Sequence, residues 1–161
     1  MGSSGVVVRR CAPEDAAAMD AREPAARRYA LGALARQEAG LTDFLVAELG
    51  GVIVGSGELT MTDPPELKSL SVDANARGRG VGSAIIVAAE LVVDERYGSR
   101  GELPRQLVVG VGVDNARAAA LYDRLGFVRT GVLSTTTYKY VDDEGVTRTA
   151  TETDEELIKV W

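Results

Sequence analysis

Six residues, Arg77-Gly78-Arg79-Gly80-Val81-Gly82, constrain this chain more than any other stretch. They follow an apolar, strand-like segment ending at Val72 and open directly into a helical pattern. Three glycines in six positions, set between a strand and a helix, let the backbone approach a ligand with no Cβ in the way. The amides that start the helix lack intrahelical acceptors and lie at the positive end of its dipole. Phosphate is the usual group that fills such a place.

Spacing separates the kinds of phosphate loop. A dinucleotide fingerprint counted from Gly78 requires glycine at position 83, where the chain has Ser83. A Walker-type loop ends in Gly-Lys-Ser/Thr, a tripeptide the chain does not contain. What remains is Arg77-x-x-Gly80-x-Gly82. A second pattern lies further along. Leu107 to Val113 reads as a buried strand, and Asn115-Ala116-Arg117-Ala118-Ala119-Ala120-Leu121-Tyr122 follows as a helix. Asn115 is placed to cap it, Ala118, Leu121, Tyr122 and Leu125 share one face, and Gly126 stands where a helix ends in a left-handed residue.

Both motifs resemble those of the GCN5-related N-acetyltransferases, a superfamily of acyl-CoA transferases. The loop matches its Arg-x-x-Gly-x-Gly, and residues 115–127 match its Asn-x-x-Ala-x-x-x-Tyr-x-x-x-Gly-Phe. The resemblance runs from Val6 onward and is weakest before Phe44. It implies a single-domain α/β (α+β) acyl-CoA N-acyltransferase fold over residues 6–161, after a flexible start at residues 1–5. The implied central sheet is mixed and mostly antiparallel, with helices on both faces and with parallel strands 4 and 5 splayed apart.

The coarse pattern along the chain agrees. Strands are expected at Val6 to Arg10, Phe44 to Leu49, Val52 to Met61, Glu66 to Val72, Val128 to Val141 and Thr147 to Val160. Pro24 divides the early helical region in two, and Gly50-Gly51 marks a tight hairpin. A helix from Val81 to Arg96 has Val81, Ala84, Ile85, Ala88, Leu91 and Val92 as its expected buried stripe.

The resemblance also implies acetyl-CoA as cosubstrate, held at Ser71, Val72, Arg77, Gly78, Arg79, Gly80, Val81, Gly82, Ser83, Asn115 and Tyr122, with no metal. The Val72 amide would face the thioester carbonyl as an oxyanion donor. Tyr122, whose reference pKa is ~10, would assist the departing thiolate. An alkylamine near ~10.4 arrives protonated, so something must collect its proton. Glu66, six residues before Val72, matches the position of a base in the histone-acetylating branch. Glu58 and water are the alternatives. Strand alternation places Glu66, Lys68, Leu70 and Val72 on one face.

Composition narrows the partners. With 45% hydrophobic and 26% charged residues, a chain of 161 residues is that of a globular protein. No apolar run reaches the ~20 residues of a membrane helix, and no signal peptide is read. Cys11 is the only cysteine, which excludes an intrachain disulfide and fits a reducing cytoplasm. Histidine is absent, removing the commonest base and metal ligand. A net charge of −6 argues against nucleic acid. The expected function is acetyl transfer to a primary amine of a small molecule or peptide. A silent acyl-CoA-binding regulatory domain, another nucleotide binder and an interaction module are the other classes. A homodimer through the final hairpin is an analogy to the family.

Overall fold

Alternation in one strand sets the layers of this fold. In β2 (Thr42–Leu49) Phe44 and Val46 are buried in one apolar cluster, while Leu45 and Ala47 are buried in another. Successive strand residues point to opposite faces, so the sheet carries apolar surface on both sides. α1 (Pro13–Ala21) and α2 (Ala30–Glu38) cover the Phe44 side, contributing Ala16, Ala30, Ala33 and Leu34. α3 (Val81–Gly98) and α4 (Ala116–Arg124) cover the other, contributing Val81, Ile85, Ile86, Ala89, Val93 and Tyr122. The computed structural model describes residues 5–25, 28–98 and 104–161. Residues 1–4 of the expected flexible start lie outside the described residues.

Seven strands form one sheet in the order β1-β2-β3-β4-β5-β7-β6. β1 (Val6–Arg10), β2, β3 (Val52–Thr60) and β4 (Glu66–Val72) run antiparallel to one another. β4 and β5 (Gln106–Gly112) are parallel, and β7 (Thr147–Val160) returns antiparallel between β5 and β6 (Val128–Val141). The expected mixed, mostly antiparallel sheet with helices on both faces is therefore present. Gly50 and Gly51 join β2 to β3 with φ of 61° and 80°, the two left-handed residues that a type I′ hairpin requires.

The parallel ladder is short. Glu66 pairs with Val108 and Leu67 with Val109, and no pairs follow. β5 instead stays with β7 along its whole length, from Gln106 opposite Val160 to Gly112 opposite Asp154. The ends of β4 and β5 thus part, as expected for strands 4 and 5.

Two expectations need correction. β4 does not alternate regularly. Between the pairs Ser56–Ser71 and Glu58–Lys68, two residues of β4 oppose Gly57 alone. Ser69 takes φ 55° there, left-handed for a residue with a side chain. This bulge puts Leu70 and Val72 with Leu67 against the α3-side core. Glu66 and Lys68 face the other side. The stripe of α3 also differs. Val81, Ile85, Ile86, Ala89 and Val93 are buried, whereas Leu91 is 56% exposed. Nearly every position from Val81 to Val93 is apolar, so periodicity alone does not single out a face.

Close packing of α3 depends on glycines in β3. A Cβ on Gly55 would stand 2.9 Å from Val81 Cγ1 and 3.0 Å from the Ser71 carbonyl oxygen. One on Gly57 would stand 3.1 Å from Leu67 Cδ1 and 3.3 Å from Ile85 Cγ2. Gly55→Ala therefore forces α3 or the Ser71 backbone to shift, an overpacking that costs about 1–3 kcal/mol. Thermal unfolding should show a midpoint lower by about 2–4 °C per kcal/mol in a chain of this size. An unchanged midpoint would mean that α3 has room above β3.

Candidate functional site

The glycine loop begins where β4 ends. A short 3-10 turn, Ala74–Ala76, leads to Arg77 in extended conformation, and Gly78 and Gly80 follow at φ of 78° and 80°. A side chain at either glycine would be strained. The bond from Ala84 N–H to the Gly80 carbonyl opens α3. The N–H groups of Val81, Gly82 and Ser83 precede it and have no acceptor within the helix. Arg77 and Arg79 are exposed on the same loop. Three free amides, a helix dipole and two guanidinium groups suit a pyrophosphate.

Gly82 joins this loop to the second motif. A Cβ there would meet Leu121 Cδ2 of α4 at 3.3 Å and Val72 Cγ2 at 3.9 Å. The start of α3, the end of β4 and the face of α4 thus converge. α4 is capped as its sequence requires. The Asn115 side chain accepts from the Ala118 amide at 3.1 Å. At the other end Phe127 N–H donates to the Tyr122 carbonyl and Gly126 N–H to that of Asp123, with Gly126 at φ 95°. This is the Schellman pattern. Its customary apolar contact is here an edge-on pair of rings, Tyr122 and Phe127, 5.5 Å apart. Tyr122 is 5% exposed, and its hydroxyl bonds to no described residue. Burial pushes that hydroxyl above the ordinary phenol range.

The Val72 amide is aimed by its neighbour. Asp73 N–H donates to the Val54 carbonyl on β3 at 2.8 Å. Adjacent amides of an extended strand point to opposite edges, so Val72 N–H points away from β3. It faces the gap that β5 has left.

On the opposite side of the sheet lies a cavity of about 540 Å³. Met19, Tyr29, Ile53, Ser56, Ser69 and Ser71 are among its lining residues. The start of α2 beside it is held by Asp20 at the end of α1. Its buried carboxylate accepts from the amides of Tyr29, Ala30 and Leu31 at 2.9–3.1 Å, capping α2 from outside. A second cavity, about 480 Å³, lies between α4 and β7 and touches neither Val72 nor the loop.

The two carboxylates weighed as bases occupy different settings. Glu66 is half-buried at the foot of β4, where β4 and β5 are still paired, and neither it nor Glu58 lines the cavity. Six residues of extended strand separate it from Val72, roughly 20 Å. Glu58 is 5% exposed and accepts from Arg36 Nε at 2.8 Å and Nη2 at 3.1 Å. Burial raises its carboxyl above the usual range, opposed by Lys68 across the strand pair. Arg36 also lies 5.3 Å from the Tyr29 ring centre.

Residues 10–127 match the acetyltransferase (GNAT) family. The chain belongs to that family. No curated protein matches it in sequence. Solved structures share its fold at low identity. The ribosomal-protein-S18-alanine N-acetyltransferase of Escherichia coli is 19% identical over 96% of this chain and 93% of its own, with a TM-score of 0.63. The PaiA N-acetyltransferase of Thermoplasma acidophilum, solved with coenzyme A, is 17% identical over 97% and 99%, at 0.65. Arabidopsis thaliana Naa50, solved with a bisubstrate analogue, is 16% identical over 98% and 99%, also at 0.65. The protein is thus an acetyltransferase whose cosubstrate is acetyl-CoA. No helix among the described residues is long and apolar enough to cross a membrane.

Several site features had no sequence signal. The Asp20 cap spans nine to eleven residues, and the Glu58–Arg36 pair joins a strand to a helix 22 residues away. Ser69 looks like an ordinary strand residue until the bulge is seen.

The loop geometry carries a prediction. Gly80→Asp places a Cβ at positive φ and a carboxylate beside the orphan amides. Acetyl-CoA affinity should fall at least tenfold, about 1.4 kcal/mol, in a variant that stays folded. Calorimetry showing full affinity would remove the pyrophosphate from this loop.

Proposed function

We propose that the protein transfers the acetyl group of acetyl-CoA directly to a primary amine of a small molecule or peptide. The observation that carries this is the Val72 amide, aimed into the β4–β5 gap beside the free amides of α3. The gap would accept the pantetheine arm, the Gly78 to Ser83 backbone its pyrophosphate, and Ser71 and Asn115 would border it. The amine nitrogen attacks the thioester carbonyl carbon, and the developing oxyanion accepts from Val72 N–H. The carbon–sulfur bond then breaks, and the thiolate leaves toward Tyr122. A phenol kept protonated by burial stabilises that sulfur by hydrogen bonding.

The amine proton leaves on the opposite side. Glu66 is too distant for direct transfer, so we assign the proton to Glu58 through water. Glu58 sits on the cavity face of β3, two residues from Ser56, and about three residues, roughly 10 Å, from the level of Val72. Burial raises its pKa, while the paired Arg36 guanidinium favours the ionised carboxylate.

Two measurements test these roles. Tyr122→Phe keeps the ring pair with Phe127 and removes the hydroxyl. Turnover should fall about a hundredfold, the lower end for acid assistance, with acetyl-CoA affinity unchanged. Turnover within threefold of the parent, with chemistry rate-limiting, would make Tyr122 a packing residue. For the base, the rate should decline as falling pH protonates Glu58, and Glu58→Gln should abolish that limb. In the variant the rate should recover at high pH, where the amine deprotonates unaided. The same loss in Glu66→Gln, with Glu58→Gln like the parent, would return the role to Glu66.

A further inference from the structure

The cavity holds a hydroxyl that the protein itself leaves unused. Ser56 is 7% exposed, and its side chain bonds to no described residue. Its direction follows from its neighbours. Cβ positions on Gly55 and Gly57 point at Val81, Leu67 and Ile85 on the α3 side, so Ser56 between them points to the other face. There it lines the cavity with Ser71, its direct cross-strand partner, and with Ser69 at the bulge. Glu23 and Asp73 add carboxylates to the lining. Arg22 adds one cation, its guanidinium donating to the Ile53 carbonyl at 3.3 Å. Asp20 already serves three amides and offers little to a ligand.

We propose that this cavity selects a small hydroxylated amine, an amino alcohol or amino sugar, as the acetyl acceptor. The inference rests on the transferase reading above and names its substrate class. A serine hydroxyl both donates and accepts, so another hydroxyl complements it fully. An alkylamine of the same shape would displace water from Ser56 and leave it unpaired, the situation in which polar sites discriminate most strongly. Among the described lining residues the carboxylates outnumber the single Arg22 cation, which favours arrival of the ammonium form over an acceptor bearing a carboxylate. A volume of about 540 Å³ holds a molecule of monosaccharide size.

The test measures thiol release from acetyl-CoA in an amine-free buffer with four acceptors. They are 1-amino-2-propanol, its isostere isobutylamine, glucosamine and an alanine-initiated peptide. After correction for the fraction of neutral amine, kcat/KM for the amino alcohol should exceed that for isobutylamine at least tenfold, or about 1.4 kcal/mol. Glucosamine above or below the amino alcohol distinguishes the two sources of the same chemistry. In Ser56→Ala the ratio should collapse toward one, with acetyl-CoA affinity retained as the sign of a folded protein. If that variant does not fold, the ratio in the parent decides. Equal use of the isosteres, preference for the peptide, or an unchanged ratio in Ser56→Ala overturns the proposal and leaves the transferase standing. No thiol release with any amine, despite acetyl-CoA binding, overturns both.

Discussion

Everything at this site depends on two strands being held apart. β4 and β5 share only the pairs Glu66–Val108 and Leu67–Val109 before they diverge. Unpaired strand edges are unfavourable inside a protein, so the opening has to be imposed from outside. β3 holds β4 on one side, and β7 holds β5 over seven consecutive pairs on the other. The bulge at Ser69 then turns the last residues of β4 within that frame. The edges that result, the Val72 amide among them, have no strand partner across the gap. A peptide-like arm is the natural occupant, because it completes the ladder that the protein leaves open.

The gap alone offers nothing suited to a phosphate; the proposed phosphate site comes from the proximity of α3. Three glycines remove side chains where that helix comes closest: Gly55 and Gly57 beneath it, and Gly82 against Leu121 and Val72. The helix start therefore sits beside the end of β4, with its free amides and dipole directed at one spot. α4 ends in a Schellman turn that locks the Tyr122 ring on Phe127. Tyr122 is next in sequence to the Leu121 that packs on Gly82. Burial keeps the Tyr122 hydroxyl protonated, which suits the donor role proposed for it.

Most of this donor side was legible in the residues. Gly78, Gly80 and Gly126 each take a positive φ that few other residues accept, and Asn115 carries the side-chain acceptor of a cap, so the loop, the cap and the helix end could be read locally. Strand limits at Val6–Arg10, Glu66–Val72 and Thr147–Val160 followed from alternation and turn residues. What could not be read is tertiary. The α3 stripe was ambiguous because valine, isoleucine and alanine surround the helix. The side on which Glu66 lies depended on one left-handed serine. The Asp20 cap and the Arg36–Glu58 pair bring together groups that no local pattern connects.

That division of legibility follows a division of labour. The proposed donor half is built from backbone: amides of Val72, Val81, Gly82 and Ser83, admitted by glycines whose replacement would be strained or crowded. Such a half tolerates little change and so leaves a sharp motif. The proposed acceptor half is built from side chains on β3, on β4 and at the end of α1, with Asp20 holding the start of α2. Ser56 can be exchanged there without touching a single donor amide, because it faces away from α3 while Gly55 and Gly57 face toward it. With the proposed acceptor contacts on one face of β3 and the packing of α3 on the other, the acceptor could vary while the proposed acyl-CoA site stays fixed. It also explains why a motif that identifies the donor leaves the acceptor to be read from the cavity.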